Sequence, residues 1–210
     1  MTSEVETIRR AYDRQAPGYD QRWRSYLAGT LDAVLDGLDL RGDERVLDIA
    51  CGTGELERFL FNRWPDLRVV GVDLSRGMLR QAAAKASMSR ADWLVAGSAA
   101  LPLPDCAFDW AICANSFHYF REPERALGEM RRVLRFNGTL ILVDWCDDYL
   151  SCKLCSMWLR FSDPAFCRMY GMTALGRLVK QAGFQLERAD RFRVGWIWGM
   201  MRLVCRLQPG

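Results

Sequence analysis

Val46-Leu47-Asp48-Ile49-Ala50-Cys51-Gly52-Thr53-Gly54-Glu55-Leu56 decides how this chain folds. Its apolar start reads as the end of a buried strand, its two glycines as a sharp turn, and its continuation as an amphipathic helix. Glycine lets the backbone adopt left-handed angles and approach a ligand closely. Open parallel sheets bind ligands at the carboxyl ends of their strands, where such a turn lies. Glycine turns alone are common. Asp73 makes this one specific: it ends a second apolar strand, Val69-Val70-Gly71-Val72. About twenty residues past the turn is where a ribose-binding acid belongs.

Two cofactor classes fit a strand, a glycine turn and a distal acid. A dinucleotide fold wants Gly-x-Gly-x-x-Gly, with phosphate resting on the helix N-terminus. Here Gly52-Thr53-Gly54 runs into Glu55, Leu56 and Glu57, so the third glycine is missing. Two acids in the first helical turn, with Asp48 just before it, repel phosphate and favour a cationic cofactor without phosphate.

The stretch Val46 to Leu56 resembles motif I of the class I S-adenosylmethionine-dependent methyltransferases. Val70 to Leu79 resembles their second motif, Ala96 to Asp109 their third, and Arg132 to Leu140 the segment leading into the fifth strand. The likeness runs from about Tyr12 to the C-terminus. It is strongest to the small stand-alone group that includes the ubiquinone/menaquinone C-methyltransferases and small-molecule and lipid methyltransferases. It implies an α/β, Rossmann-like three-layer sandwich with a seven-stranded, mostly parallel sheet whose last strand is antiparallel. It also implies S-adenosylmethionine as cofactor and S-adenosylhomocysteine as product. One methyltransferase domain over 1–210 is expected, with an N-terminal helical cap at 1–40 and a lid insertion over the acceptor at 146–172.

Composition agrees with one globular α/β domain. The chain has 210 residues, half of them apolar and a quarter charged. A net charge of +3 with scattered arginines gives no footprint for nucleic acid. Met1-Thr2-Ser3-Glu4-Val5-Glu6 is polar and acidic, unlike a secretory signal. The longest apolar run, Val194 to Met201, is too short to span a membrane. Eight cysteines in such a chain read as reduced and cytoplasmic, mostly as small buried filler. Cys152-x-x-Cys155, with Cys146 and Cys167 nearby, offers half a metal site or a metalloid-binding thiol cluster, but no second pair completes it. No metal is expected.

Several elements follow from periodicity. Helices are expected over Glu4–Gln15, Trp23–Leu38, Glu55–Arg63, Arg76–Ala86, Pro123–Arg135 and Ala174–Gln181. Strands are expected at Glu44–Ala50, Leu67–Val72, Trp93–Ala96, Phe108–Ala114, Thr139–Trp145, Phe184–Val194 and Trp196–Arg206. Ser75 and Thr173 are expected N-caps, Gly183 a helix stop, and Asn137-Gly138 a turn. Trp196, Trp198, Met200 and Met201 are expected to pack in the closing hairpin.

The resemblance assigns cofactor contacts to Tyr19, Asp48, Ala50, Gly52, Gly54, Asp73, Leu74, Met78, Gly97, Ser98, Ala99 and Asn115. Asp73 suits both ribose hydroxyls, since a carboxylate has two accepting oxygens. Tyr19 is placed to touch the methionine part, although Tyr12 and Tyr19 could equally pack their helix onto the domain. Leu74 and Met78 lie against the adenine, while Met78 also suits the core. Relatives often carry Asp where Ser98 stands, so the adenine contact loses charge assistance here. The lone histidine, His118, sits beside the expected methyl position. It is read as a base for the acceptor or as a hydrogen-bonded structural histidine.

Phe117, Trp145 and Tyr149 are substrate-side candidates. The aromatic and methionine-rich lid suggests an apolar or aromatic acceptor, unless those residues bury a small core of their own. The function expected is methyl transfer to a small acceptor by in-line displacement. The alternatives are a non-catalytic cofactor-binding protein, a nicotinamide enzyme, and methylation of a membrane lipid or quinone. The oligomeric state is left open.

Overall fold

The computed structural model describes residues 3–85, 90–163 and 166–208. Seven strands form one sheet: β1 (Arg45–Ile49), β2 (Arg68–Asp73), β3 (Ala91–Val95), β4 (Phe108–Ala114), β5 (Leu134–Trp145), β6 (Phe184–Val194) and β7 (Trp198–Leu207). Their spatial order is β3-β2-β1-β4-β5-β7-β6. The first five run parallel, while β7 is antiparallel to both β5 and β6. The expected Rossmann-like sandwich is the observed one.

The central strands are apolar on both faces because both faces are covered. In β4, Ala111 and Cys113 join the core on one side and Ile112 the core on the other. In β5, Leu140 and Leu142 alternate in the same way with Ile141 and Val143. Helices α5 (Pro123–Val133) and α7 (Met172–Gln181) close the first face. Helices α2 (Tyr19–Leu35) and α3 (Glu55–Arg63) close the second. Helix α1 (Ser3–Gln15) packs on α4 (Arg76–Ala83), and α6 (Leu150–Ser162) follows β5.

Several boundaries differ from expectation. The second helix starts at Tyr19, not Trp23, because Gly18 turns the chain at φ 83° and lets a new helix begin at once. It ends at Leu35. Gly171, not Thr173, caps α7, and Asp148 Oδ2 accepts from Met172 N at 3.2 Å to satisfy its first amide. The turn at Asn137-Gly138 is absorbed into β5: Asn137 takes φ 61°, and the pairing with β4 jumps from Phe108↔Leu134 to Trp110↔Thr139. Ser75 does cap α4, its hydroxyl accepting from Met78 N at 3.1 Å. The C-terminal end expected for that helix, Ala86, lies outside the described residues.

Trp198, Met200 and Met201 pack on the core, but Trp196 does not. It stands at the β6–β7 turn, 96% exposed. The segment 146–172 also divides. Phe166, Met169 and Tyr170 are buried in the domain core, whereas Leu154, Met157, Trp158 and Phe161 on α6 face solvent. Among the described residues no helix is long and apolar enough to cross a membrane.

Candidate active site

The glycine turn leaves the sheet through three left-handed residues, Ala50 (φ 60°), Gly52 (φ 57°) and Gly54 (φ 74°). Ala50 carries a side chain in a conformation that L-residues rarely adopt, which is strain of the kind held at functional sites. Asp73 fixes the turn. Its Oδ2 accepts from Gly52 N at 2.9 Å and its Oδ1 from Ser75 N at 2.7 Å. Burial raises its pKa, the two amides pull it back, and the balance lies at about 6. A carboxylate offers about four lone-pair sites. Asp73 therefore keeps accepting capacity toward the adjoining cavity.

That cavity lies at the carboxyl end of the sheet and encloses about 1350 Å³, part of it open to solvent. Of the expected cofactor residues, Tyr19, Asp48, Ala50, Gly52, Asp73 and Leu74 line it. Met78, Gly97, Ser98, Ala99 and Asn115 line it too, while Gly54 lies behind the turn against Trp93 and Ala82. A Cβ added to Gly52 would meet nothing within 4 Å, so its backbone faces open space.

The acids around the turn are not equivalent. Glu55 lines the cavity and pairs with Arg58 at 2.9 Å and Lys85 at 2.5 Å. Glu57 does not face it: the side chain is wholly buried, and among the described residues neither carboxyl oxygen has a donor. Burial raises the pKa of Glu57, and burial with the neighbouring Glu57 charge raises that of Asp48. Burial and mutual repulsion favour the protonated form in this pair, because both carboxyls cannot ionise cheaply. Repulsion of phosphate therefore rests on Asp73 and Glu55, and the buried Asp48–Glu57 pair drops out of that argument.

The two Tyr-Asp pairs that flank Pro17-Gly18 have divided roles. Tyr12 and Tyr19 line the cavity, and their rings lie 6.4 Å apart. Asp13 Oδ1 accepts from Ser75 Oγ at 2.7 Å and from Gly77 N at 2.8 Å, at the N-terminus of α4. Acids are favoured there. Asp20 accepts from the Thr53 hydroxyl and pairs with Lys85 at 2.9 Å. Both aspartates tie α1 and α2 down over the glycine turn. Sequence reasoning missed them as latches, and also missed Val5, Ile8, Leu27 and Leu31, which line the same cavity. Their helical spacing was visible, but a stripe facing a cavity reads like one facing a core.

Asn115, at φ 60°, is pinned by α2: Tyr26 Oη donates to its Oδ1 at 2.8 Å, and its Nδ2 donates to Thr30 Oγ1 at 2.9 Å. His118 does not line the cavity. It is 2% exposed and stacked on Trp145 at 4.0 Å. Its Nδ1 lies 2.6 Å from Asp144 Oδ1, and its backbone amide donates to Oδ2 at 2.8 Å. Its Nε2 has no hydrogen-bond partner among the described residues. Phe117 is fully buried between Phe120 and Tyr170. Trp145 is buried and stacked on Trp198, and Tyr149 lies under the Arg193 guanidinium at 4.8 Å. None of these three substrate-side candidates lines the cavity.

Residues 46–138 match a family model described as a methyltransferase domain. The demethylmenaquinone methyltransferase of Thermus thermophilus is 38% identical over 130 residues, covering 61% of this chain and 56% of that protein. The malonyl-[acyl-carrier protein] O-methyltransferase of Geobacter sulfurreducens is 34% identical over 134 residues, covering 62% and 50%. Over these residues the chain is similar to the methyltransferase domains of S-adenosylmethionine-dependent enzymes. It spans about half the length of these relatives. Among solved structures, the methyltransferase-fold protein of Haloferax volcanii, in complex with the Trm112 methyltransferase activator, superposes with a TM-score of 0.85. It shares 18% identity, over 94% of this chain and 98% of that one, a likeness of fold. The methyl donor of this family, S-adenosylmethionine, fits the cavity of the methyltransferase domain. Asp73 retains acceptor capacity for a diol, Gly52 presents open backbone, and the acids and tyrosine faces suit a cation.

Proposed function

We propose that this chain transfers a methyl group from S-adenosylmethionine to a small apolar or aromatic acceptor. The observation that carries the reading is Asp73, tied to both the glycine turn and α4 while facing the cavity. When bound, the cofactor supplies a methyl on a sulfonium, ready for in-line displacement. The chain's own residues hold and align the partners, which can account for much of such a rate enhancement. Asp73 would take the ribose hydroxyls, Leu74 and Met78 one face of the adenine, and Ser98 and Ala99 its edge. Tyr12, Tyr19 and Tyr119 would place their rings around the charged sulfur.

Val5, Ile8, Leu27 and Leu31 supply an apolar wall, which supports an apolar acceptor. The relatives' names include both demethylmenaquinone and malonyl-[acyl-carrier protein] methyltransferases, matched over a similar stretch. Their likeness therefore supports the donor half more strongly than any one acceptor. His118 is read as a brace: with Asp144 it fixes the loop that carries Asn115 and Tyr119.

Calorimetry with S-adenosylmethionine, S-adenosylhomocysteine and NAD on the wild type and Asp73→Ala tests the reading, followed by an acceptor screen. Binding of the two sulfur compounds, weakened by the substitution, is expected. NAD binding in their place would overturn it, and donor binding without turnover on any acceptor would leave a cofactor-binding protein.

A further inference from the structure

Helix α6 is amphipathic in the wrong direction for a core helix. Cys152 and Ser156 are its buried residues, and Cys152 Sγ donates to Gly199 O at 3.2 Å. On the opposite side Leu150, Leu154, Met157, Trp158 and Phe161 recur at helical spacing, all exposed; Trp158 is 67% and Phe161 93% open. Lys153 and Arg160 lie together on one flank of that stripe, and residues 150–162 contain no acid. The neighbouring β6–β7 turn repeats the chemistry. Trp196 and Ile197 are exposed at its tip, and Arg191 and Arg193 stand on its approach strand. Arg193 lies over Tyr149, the residue just before α6, which places the turn beside the start of that helix. Residues 191–199 likewise contain no acid. The nearby Asp148 is already engaged, by Arg191 at 3.4 Å and by the Met172 amide.

We propose that α6 and the β6–β7 turn form a docking surface for an anionic lipid bilayer. A solvent-facing stripe of Trp, Phe, Leu and Met flanked by cations is the composition of helices that lie in the membrane interface. Tryptophan favours the headgroup level, and each lysine or arginine near an anionic leaflet adds attraction. Charge decides against a second copy of this chain as the occupant. Two such faces brought together would oppose Lys153 and Arg160 with their own copies, with no acid within residues 150–162 to pair them. The surface lies at the carboxyl end of β5, the end of the sheet that carries the cavity. The proposal goes beyond the methyl-transfer reading and does not rest on it, since its test needs neither donor nor acceptor.

The test is cosedimentation of the full chain with vesicles of phosphatidylcholine, with and without an equal share of phosphatidylglycerol. Binding to the anionic vesicles, weakened by salt, is expected. The double substitution Trp158→Ser with Phe161→Ser should lower partitioning roughly tenfold or more, tenfold being about 1.4 kcal/mol. Lys153→Glu with Arg160→Glu should abolish the preference for anionic lipid. Trp196→Ser tests the turn separately, and Phe136→Ser, exposed on β5, should change nothing. These side chains are exposed, so folding is retained and is checked by thermal melting. Binding that survives the α6 substitutions would overturn the proposal. So would a protein that ignores vesicles, whether it stays monomeric or sediments as a dimer dissociated by the same substitutions.

Discussion

Asp73→Asn should make the ligand-free protein more stable at neutral pH while costing it the cofactor. Asp73 has an ordinary pKa of 3.8, raised in the fold to about 6 chiefly by burial. The rise is about two units, and at about 1.4 kcal/mol each the ionised form costs roughly 3 kcal/mol in the native state. For an acid with a raised pKa, the native state binds more protons than the unfolded one between the two values. Stability therefore falls as pH rises from 3.8 through about 6, and the full cost is present above that. Asparagine removes the charge. Its Oδ1 can keep the Ser75 amide, but its NH₂ then faces the Gly52 amide, a donor against a donor that costs about 1–2 kcal/mol.

The net expectation is a gain of about 1–2 kcal/mol at neutral pH, or about 2–8 °C in Tm for a chain of this size. Below the ordinary carboxylate pKa, where the wild-type group is neutral too, the gain should turn into a loss of about 1–2 kcal/mol, the donor-against-donor cost alone. S-adenosylhomocysteine should lose affinity by roughly 10–100-fold, since hydrogen bonds to a charged partner contribute about 1.5–3 kcal/mol. Calorimetric melting across pH, with and without that ligand, measures both effects. A variant that is less stable than wild type at every pH, yet keeps its ligand-induced rise in Tm, would refute the reasoning.

Asp13→Ala should release α1 from α4, because the Ser75 hydroxyl and Gly77 amide lose their acceptor. Amide exchange in α1 should quicken by roughly tenfold or more while β4 stays protected; equal quickening in both would mean a global loss. Glu57→Gln should stabilise the protein at neutral pH by about 1–2 kcal/mol, since an amide can donate to Asp48 without needing a shared proton. Thermal melts that show a loss instead would mean that charge holds the pair. Gly71→Ala should cost about 1–3 kcal/mol by denaturant unfolding, because the new methyl would lie 2.6 Å from a Trp93 ring carbon and 2.9 Å from Cys51 Sγ. His118→Gln should lower stability and leave the pH profile of turnover unchanged, and loss of a titrating limb would assign His118 a proton-transfer role.

What the sequence made legible was local. Helix α3 and strand β4 fell where their residues place them, because glycine turns, Pro-Asp breaks and doubly apolar strands signal themselves within a few residues. Asp73 and the turn were legible through a spacing imposed by one βαβ unit. The latches were not: Asp13 finds its partners more than sixty residues away, and Asp20 finds Thr53 across the whole of α2 and β1. Periodicity also fixes that a helix has an apolar face without fixing where that face points. The stripe on α1 turned toward a cavity, the stripe on α2 served both cavity and core, and the stripe on α6 turned to solvent. Glu57 misled for a related reason. Its place in the first helical turn puts it near the phosphate position in sequence, but the helix rotates it inward, beneath Asp48.

The pieces around the turn are energetically coupled. The ligand-free site carries Asp73, Asp48 and Glu57, whose ionised forms are all opposed by burial. Above them sit α1, tied to α4 by Asp13, and the N-terminal turn of α2, tied to the glycine turn by Asp20. A cation entering between the tyrosines relieves the buried charge and gives the two helices a body to pack against. Occupancy and closure then favour one another, since whatever binds only the closed form stabilises it. Asp73 sits at the junction: its side chain reaches Ser75, and Ser75 reaches Asp13. A ligand that engages Asp73 therefore acts on α1 through two consecutive hydrogen bonds, without any change in the sheet.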